Sequence, residues 1–517
     1  MLMKRFVAAI LFLILSAMLF SSCMLRPSDG VSESQSESES DLPVFEYGGT
    51  RLLIVSDNHY AIGKSTRVGA RTGKVYKTER INSNYASTHN AYGYDSEAHI
   101  QALIDTVKKE HAREPIDAVM VLGDMTDMDF WYKYFMKEGL PSDLGDTNGD
   151  GEIDFDDIYK SDYDELYYVK TEYFDQLLDF SYENENGEVL SGSIPCFFTQ
   201  GNHDHYRREW FSDLFIGSAE PTKRTAYSVN DAFTGNNYTF DGISVYWETD
   251  TDYAVYFDKG GTEDLAFFMM NSFTGSETYE EIYRDYLLYG DGKEPAQTMS
   301  GVWAYPELAE ESENALSGLL SASRDYKQIY IGTHYISSVW KDKIRKNSSV
   351  KAIYVGDAHT ETDMEYADIP LYIDGSFSHT FNTLYRFMYN FAAEPWGYMM
   401  LESKSDRAES YRVHAEMEYC ISEQTFFRHK EGDKDVRPHA DRTHKTDGVY
   451  AAMTAEEFVK ALFEETVAVM GENSPGTLDT RDGKTYYSVE YARYKLLGKN
   501  AQSGKEYDGK YVFTVER

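Results

Sequence analysis

The chain has 517 residues, of which 42% are hydrophobic, so it carries enough apolar material for a large core. Its 87 acidic residues exceed the 50 Lys and Arg residues and give a formal net charge of −37, which disfavours binding to nucleic acid duplexes or to anionic membrane surfaces. Only three cysteines are present, so a small scaffold held together by disulfides is excluded.

The first 50 residues are typical of an export signal followed by a tether. A positively charged start precedes the apolar run Phe6–Phe20, which is short for a membrane span and typical of a signal-peptide core. Cys23 follows, and the pattern resembles a bacterial lipoprotein signal, which implies lipidation of Cys23 and anchoring at the cell surface. We expect a signal peptide over residues 1–22 and a flexible Ser/Glu-rich tether over residues 23–50. An ordinary cleaved signal with secretion is the alternative.

Five short apolar runs, each followed by polar residues, come next. The runs are rich in β-forming residues and do not alternate with polar ones, as is typical of strands buried on both faces. They are, with the residues that follow them, Leu52–Val55 and Ser-Asp-Asn-His (56–59), Ala118–Leu122 and Gly-Asp-Met-Thr-Asp (123–127), Cys196–Phe198 and Gly-Asn-His-Asp (201–204), Ile329–Ile331 and Gly-Thr-His (332–334), and Ala352–Val355 and Gly-Asp-Ala-His (356–359).

Helical segments separate these strands. We predict helices over Ser96–Glu110, Asp164–Phe180 and Pro306–Ala322, together with a further buried strand over Leu265–Met270. This alternation favours an α/β fold with parallel strands, in which ligands bind at the carboxyl ends of the strands. Asp, His and Asn stand at those ends, and carboxylate and imidazole are ligands for Mn, Fe and Zn. The sequence therefore predicts a metal site.

The order of the motifs resembles that of a known family. Asp-x-His, Gly-Asp-x-x-Asp, Gly-Asn-His-Asp, Gly-Thr-His and Gly-x-x-His follow one another between residues 51 and 402, as in the calcineurin-like metallophosphoesterase superfamily. The resemblance implies an α/β fold of two mixed β-sheets packed as a sandwich, with helices outside and two metal ions at the site. We expect this domain to span residues 51–416, followed by a linker and a C-terminal extension over residues 417–517.

The same resemblance implies roles for nine residues. The first metal would be held by Asp57, His59, Asp124 and His359. Asp124 would bridge to the second metal, which Asn202, His334 and Asp357 would complete. A hydroxide bridging the two metals would be the nucleophile, His203 would protonate the leaving oxygen, and Asp127 would orient His203. The open alternative for Asp127 is a simple helix N-cap.

The last motif departs from the family pattern. The family usually has Gly-His-x-His, whereas this chain has Gly356-Asp357-Ala358-His359. A third carboxylate among the ligands favours a harder ion such as Mn²⁺ over Zn²⁺ at the second site. In the alternative, Asp357 points away and the second metal is weak or absent.

A calcium-loop motif lies between the second and third strands. Residues 146–157 place oxygen ligands with EF-hand spacing and glycine at the sixth position. The predicted ligands are Asp146, Asn148, Asp150, Glu152 (through its backbone carbonyl), Asp154 and Asp157. A single such loop indicates a structural Ca²⁺ site, and the alternative is an acidic solvated turn.

A basic segment stands out in this acidic chain. Residues 60–95 contain six Lys and Arg residues against one Glu and one Asp, close in sequence to the first metal motif. We hypothesise that Lys64, Arg67 and Arg71 bind an anionic substrate. The alternative is a solvated insertion that only offsets the local negative charge.

The remaining segments carry no recognisable chemistry. Tyr279–Tyr289 and Thr454–Met470 are predicted helices, and Glu423–Gly448 is charged and poor in aliphatic residues, as expected of a linker.

Taken with the resemblance, the sequence indicates an exported, metal-dependent hydrolase of phosphate esters, with a small molecule or a lipid head group as substrate. The motifs with a long middle insertion favour a phosphodiesterase. Protein phosphatases carry Arg directly after the second motif, whereas this chain has Met128, which disfavours the protein phosphatase branch. The alternatives are a phosphomonoesterase or nucleotidase, and a surface binding protein with a decayed site.

Overall fold

The computed structural model describes most of the chain between residues 49 and 414. The described residues are 49–58, 60, 65–78, 96–126, 146, 149–152, 155–184, 186–201, 214, 222–231, 233–260, 264–271, 306–356, 362–373, 397–403, 408–414, and eight short strands between residues 426 and 514. Within these residues, no helix combines the length and the apolar character that a membrane crossing requires.

Strands dominate the described part of the chain. The helices are α1 (Ser96–Arg113), α2 (Phe155–Glu172), α3 (Pro306–Ala322) and α4 (Lys341–Arg345), with 3₁₀ turns at Phe174–Leu177 and Ser338–Trp340. The strands are β1 (Thr50–Val55), β2 (Ser65–Val68), β3 (Val75–Thr78), β4 (Ala118–Leu122), β5 (Phe180–Glu183), β6 (Val189–Gly192), β7 (Cys196–Thr199), β8 (Thr225–Asn230), β9 (Asn237–Trp247), β10 (Tyr253–Phe257), β11 (Leu265–Met270), β12 (Gln328–Thr333), β13 (Val350–Val355), β14 (Thr362–Tyr366), β15 (Ile369–Ile373), β16 (Gly397–Ser403), β17 (Ala408–His414), β18 (Phe426–His429), β19 (Pro438–His439), β20 (Tyr450–Met453), β21 (Thr477–Arg481), β22 (Lys484–Val489), β23 (Ala492–Leu496), β24 (Glu506–Tyr507) and β25 (Phe513–Thr514).

Two large mixed sheets contain the five predicted strands. The first sheet has the order β24-β23-β17-β16-β1-β4-β7, and the second has the order β14-β15-β13-β12-β11-β10-β9-β8. β1, β4 and β7 are parallel neighbours in the first sheet, and β11, β12 and β13 are parallel neighbours in the second. All five predicted strands are confirmed, and their apolar runs are buried apart from the half-buried Cys196.

The two sheets pack face to face. Tyr354 on β13 places its hydroxyl 2.6 Å from the Ser410 hydroxyl on β17, and Ser403 on β16 donates to Gln328 Oε1 at 2.6 Å. Helix α3 covers the outer face of the second sheet, where its Leu316 joins a buried apolar cluster with strand residues. The sandwich of mixed sheets with outer helices is the fold that the sequence predicts.

Two of the predicted helices are confirmed and one is displaced. The helix predicted at Ser96 extends to Arg113, and the helix over Pro306–Ala322 has the predicted bounds. The helix predicted from Asp164 to Phe180 begins earlier, at Phe155, and ends at Glu172. Its acidic first turn looks like a loop in sequence, but acidic side chains stabilise the amino end of a helix. The predicted helices Tyr279–Tyr289 and Thr454–Met470 lie outside the described residues.

The C-terminal extension contributes strands to the first sheet. β23 pairs with β17, and β24 pairs with β23, so strands from beyond residue 416 belong to the first sheet, and the domain boundary at residue 416 stays a prediction. Two stretches of the predicted linker are strands instead, because β18 and β19 pair with each other, and β18 also pairs with β20.

A buried arginine ties the start of β1 to its surroundings. The Arg51 guanidinium donates to Glu402 Oε1 at 3.0 Å, to Glu110 Oε2 at 3.2 Å and to the Glu114 carbonyl at 2.5 Å. Only 2% of the Arg51 side chain is exposed. Since Glu110 and Glu114 belong to α1 or follow it, while Glu402 lies on β16, this one cation fixes a helix to the sheet.

Replacing Arg51 should therefore destabilise the protein strongly. Arg51→Met leaves buried carboxylates without their cation, and we expect the free energy of unfolding to fall by about 3–5 kcal/mol in urea denaturation. The matched control is Arg345→Met, which removes an exposed ion pair with Asp368 and should cost about 1 kcal/mol or less. Equal losses for the two variants would contradict this account.

Candidate metal centre

Three of the predicted strand ends meet at one place between the sheets. β1 leads into Asp57, β4 leads into Asp124, and β12 of the facing sheet leads into His334. The Asp57 backbone N–H donates to the Gly123 carbonyl at 3.1 Å, which joins the first two strand ends. The carboxyl ends of parallel strands are where α/β sheets bind ligands, and the polar residues are at these ends.

Asp57, Asp124 and His334 form a compact cluster of ligand atoms. Their ligand atoms all lie within 4.8 Å of one another, and the three residues are buried. His334 Nε2 lies 3.1 Å from Asp124 Oδ2 and 4.0 Å from Asp57 Oδ1. The structure thus brings together three of the seven predicted metal ligands.

The donor set fits a divalent cation. His334 Nδ1 lies 2.7 Å from the Leu122 carbonyl oxygen, which can only accept, so Nδ1 carries a proton and donates. Nε2 of the neutral ring is then an acceptor facing the acceptor oxygen of Asp124. Even with the ring protonated, two ionised carboxylates leave the buried cluster with net negative charge. Buried charge of this kind is paired or bound to metal, and a divalent cation balances it.

Both carboxylates are held by strained backbone. Asp57 and Asp124 have φ angles of 56° and 51°, in the left-handed region that costs non-glycine residues about 1–3 kcal/mol. Ser56 Oγ donates to Asp57 Oδ2, which fixes that carboxylate from the side. Because packing and hydrogen bonds maintain these conformations, the carboxylates are preorganised for a ligand.

Two glycines allow the close approach of these groups. A Cβ on Gly356 would lie 2.8 Å from His334 Nδ1 and 3.0 Å from Asp57 Oδ2. A Cβ on Gly201 would lie 2.1 Å from Asp124 Oδ1. Both glycines belong to motifs that the sequence singles out, and the structure explains their presence by space rather than by backbone angle.

The other predicted residues of the centre lie outside the described residues. These are His59, Asp127, Asn202, His203, Asp357 and His359. Among their described neighbours, Tyr60 pairs with Thr126 in a parallel bridge, and the Tyr60 N–H donates to the Met125 carbonyl at 2.8 Å. The assigned roles of the six residues stay predictions, as do lipidation of Cys23 and the contribution of Lys64.

Part of the predicted calcium loop is described. Asp146 accepts hydrogen bonds from the N–H groups of Gly149 and Gly151, at 2.6 Å and 3.0 Å. Gly151, at the sixth position, has a φ of 90°, the conformation that this position requires. Asp157 is buried in the first turn of α2. Asn148 and Asp154 lie outside the described residues.

Arg71 has partners within the protein. Its Nη1 donates to the Thr171 carbonyl at 2.7 Å, and its Nη2 pairs with Asp231. Burial raises the pKa of Asp231, but hydrogen bonds from Phe233 and Arg71 outweigh burial and hold that pKa below its ordinary value. The hydrogen bond to Thr171 fixes the β2–β3 turn to the end of α2, and the ion pair fixes the same turn to Asp231, which follows β8. Substrate binding by Arg71 and by Arg67, whose side chain is not described, stays a prediction.

The sequence did not single out two buried polar residues that bond to each other between the sheets, Gln200 and Asn271. Asn271 follows the predicted strand Leu265–Met270 directly, and Gln200 stands between β7 and the Gly-Asn-His-Asp motif. Asn271 could have been predicted as a site residue, because it is polar and stands at the end of a predicted buried strand.

Comparison with known proteins agrees with the geometry. The sequence profile of the calcineurin-like phosphoesterases matches residues 50–361, which is more than half of the chain. The chain therefore belongs to the calcineurin-like phosphoesterase family. This membership, with the buried Asp/His cluster, supports metal-dependent hydrolysis of phosphate esters. A search of curated proteins gave no significant match.

Several solved structures are similar to the chain. A dimetal phosphatase from Danio rerio is 12% identical with a TM-score of 0.37, and the match covers 70% of this chain and 96% of that one. A 5′-nucleotidase precursor from Thermus thermophilus is 9% identical with a TM-score of 0.28, and the match covers 81% of this chain and 59% of that one. The NAD nucleotidase of Haemophilus influenzae is 11% identical with a TM-score of 0.30, and the match covers 80% of this chain and 55% of that one.

Filling the space at Gly356 should weaken metal binding. In Gly356→Ala, the added methyl group displaces His334 or Asp57, and we expect about 10–100-fold weaker Mn²⁺ binding in calorimetric titration. Gly235→Ala is the control, because Gly235 has a φ of 70° with nothing near its Cβ position. It should lower stability and leave Mn²⁺ affinity unchanged. Unchanged affinity in Gly356→Ala would show that the cluster is not the metal site.

Proposed function

We propose that this protein is a metal-dependent phosphodiesterase acting outside the cytoplasm. The observation that carries the proposal is the buried cluster of Asp57, Asp124 and His334 in a member of the calcineurin-like phosphoesterase family. The predicted export signal and lipidation site would place the enzyme at the cell surface.

The cluster and the predicted strand-end residues would hold two divalent cations. Asp57, Asp124 and His334 supply the described ligands, and His59, Asn202, Asp357 and His359 are the proposed remainder. Two bound cations would lower the pKa of a water molecule and polarise the phosphoryl oxygens. Mn²⁺ is the favoured ion where Asp357 stands in place of the usual His, because a carboxylate oxygen is a harder ligand than an imidazole nitrogen.

The chain's own groups would position the substrate and move protons. Asp124 and Asp57 would bind the metals as carboxylates, and the Leu122 carbonyl keeps the His334 proton on Nδ1, so that Nε2 faces the centre. His203 would donate a proton to the leaving oxygen, and Asp127 would orient the His203 ring. A positioned acid of this kind contributes typically about 10²–10⁴-fold to the rate.

Hydrolysis of aryl phosphates tests the proposal. The full mature chain should hydrolyse bis-p-nitrophenyl phosphate with added Mn²⁺, and His203→Ala should lower kcat by about 10²–10⁴-fold. Zn²⁺, Ni²⁺ and Ca²⁺ are compared separately. The control Asp325→Asn, at an exposed carboxylate that precedes β12 at the end opposite to His334, should leave kcat unchanged.

Hydrolysis of the monoester p-nitrophenyl phosphate alone would replace the diesterase proposal with a phosphomonoesterase or nucleotidase. No hydrolysis of either compound by a chain with bound metal would instead support the surface binding protein.

We also propose that residues 146–157 bind a structural Ca²⁺. The support is the EF-hand spacing, the fold of Asp146 over the N–H groups of Gly149 and Gly151, and the position of Asp157 at the start of α2. Ca²⁺ would join the two ends of the loop and thereby fix the first turn of α2.

Calcium should therefore stabilise the folded protein. At a free Ca²⁺ concentration 100 times Kd, binding to the native state alone adds about 2.7 kcal/mol, which scanning calorimetry detects as a higher Tm. Mn²⁺ is held constant throughout. Asp150→Ala removes a proposed ligand and should abolish the increase in Tm, whereas the control Asp325→Ala should retain it. An equal increase in Asp150→Ala would contradict the proposed loop site.

A further inference from the structure

We infer that Gln200 and Asn271 are positioning residues for the metal centre. Each follows the last residue of a strand, Gln200 after β7 of the first sheet and Asn271 after β11 of the second. Their side-chain amides meet between the sheets, and Gln200 directly precedes Gly201, whose backbone lies against Asp124. The inference rests on the proposed function, because it assigns these residues to the site that would hold the metals.

The contact is an amide-to-amide hydrogen bond in the interior. Asn271 Nδ2 donates to Gln200 Oε1 at 2.8 Å, and both residues are buried. One residue earlier on each strand, Thr199 Oγ1 donates to the Met270 carbonyl at 2.9 Å. Two successive polar contacts therefore join the ends of β7 and β11. Unlike apolar packing, hydrogen bonds of this length fix direction as well as distance.

Asn271 is itself held from the second sheet. Its backbone N–H donates to Asp252 Oδ1 at 2.8 Å, and Asp252 Oδ2 accepts from the Thr249 hydroxyl at 2.7 Å. Asp252 directly precedes β10, which is the neighbour of β11. The chain of bonds thus runs from the rigid second sheet through Asn271 to Gln200.

The same junction has a third inter-sheet contact. Tyr253 donates its hydroxyl to the Phe198 carbonyl at 2.7 Å and accepts from the Phe198 N–H at 2.9 Å. β7 lies at one end of the first sheet, so the side of β7 that faces away from β4 has no strand partner within the described residues. These side chains of the second sheet hold it in place.

Gly201 transmits this position to Asp124. Gly201 follows Gln200, and a Cβ there would lie 2.1 Å from Asp124 Oδ1 and 2.4 Å from the Asp124 backbone nitrogen. The two backbones are already in contact, so a shift at the end of β7 moves Asp124 or opens a gap beside it. The next residue in the chain is Asn202, a proposed ligand of the second metal. The Asn271–Gln200 bond therefore controls the spacing of the centre.

Metal titration of the full mature chain tests this inference. Asn271→Leu removes the donor and keeps the branched shape of the side chain, and we expect Mn²⁺ binding measured by calorimetry to weaken about 10–100-fold for at least one ion. Gln200→Leu should have a similar effect. The double variant should bind Mn²⁺ about as weakly as either single variant, because both substitutions break the same bond.

The matched control is Tyr354→Phe, which removes an equally buried inter-sheet hydrogen bond, that to Ser410. It should lower Tm and leave Mn²⁺ affinity within about twofold of the parent protein. If Asn271→Leu does not fold, Thr199→Val removes the adjacent donor without changing the side-chain shape, and weaker Mn²⁺ binding is again expected.

The outcomes separate this inference from the proposed function. A parent chain that binds no Mn²⁺ contradicts the proposed function. A parent chain that binds Mn²⁺, with unchanged affinity in Asn271→Leu, overturns the positioning role alone. An equal loss of affinity in Tyr354→Phe also overturns it, because general loosening of the sandwich would then be the cause.

Discussion

The hydrogen bond from His334 Nδ1 to the Leu122 carbonyl joins the two sheets where the candidate metal centre forms. It is 2.7 Å long and links the end of β12 to the last residue of β4. Because Nδ1 donates to this carbonyl, Nε2 is directed towards Asp124 and Asp57. One imidazole therefore sets both the register of the sheets at this end and the chemistry that the cluster offers. Glycine at positions 201 and 356 provides the space for this arrangement.

The arrangement is costly without a cation. Two carboxylates are buried beside one imidazole in a chain whose formal net charge is already −37. Both aspartates also have left-handed backbone conformations. Such a site gains stability when a divalent cation binds, and metal binding and folding are thereby coupled. The polar contacts between β7 and β11 oppose relaxation of the site, since they hold the first sheet at a fixed distance from the second.

Local patterns were sufficient to predict the strands and the described part of the cluster. The five buried strands have continuous apolar runs, and Asp57, Asp124 and His334 follow three of them within one or two residues. The predicted start of α2 was wrong because acidic residues, which form its first turn, are also typical of a solvated loop. The pairing of β23 with β17 links residues about 80 positions apart, and no local pattern encodes such a pairing. The Gln200–Asn271 bond was not predicted for the same reason, because it joins two residues that are distant in sequence and belong to no shared sequence motif.

The most direct test of the central claim is anomalous diffraction from crystals of the protein grown with Mn²⁺. We expect an anomalous peak within about 2.0–2.3 Å of His334 Nε2 and of an oxygen of Asp124 or Asp57, distances typical of nitrogen and oxygen ligands to a transition metal. A second peak nearby would show the dinuclear centre. Well-ordered Asp57, Asp124 and His334 side chains without a peak, in crystals saturated with Mn²⁺, would contradict the claim that this cluster binds metal.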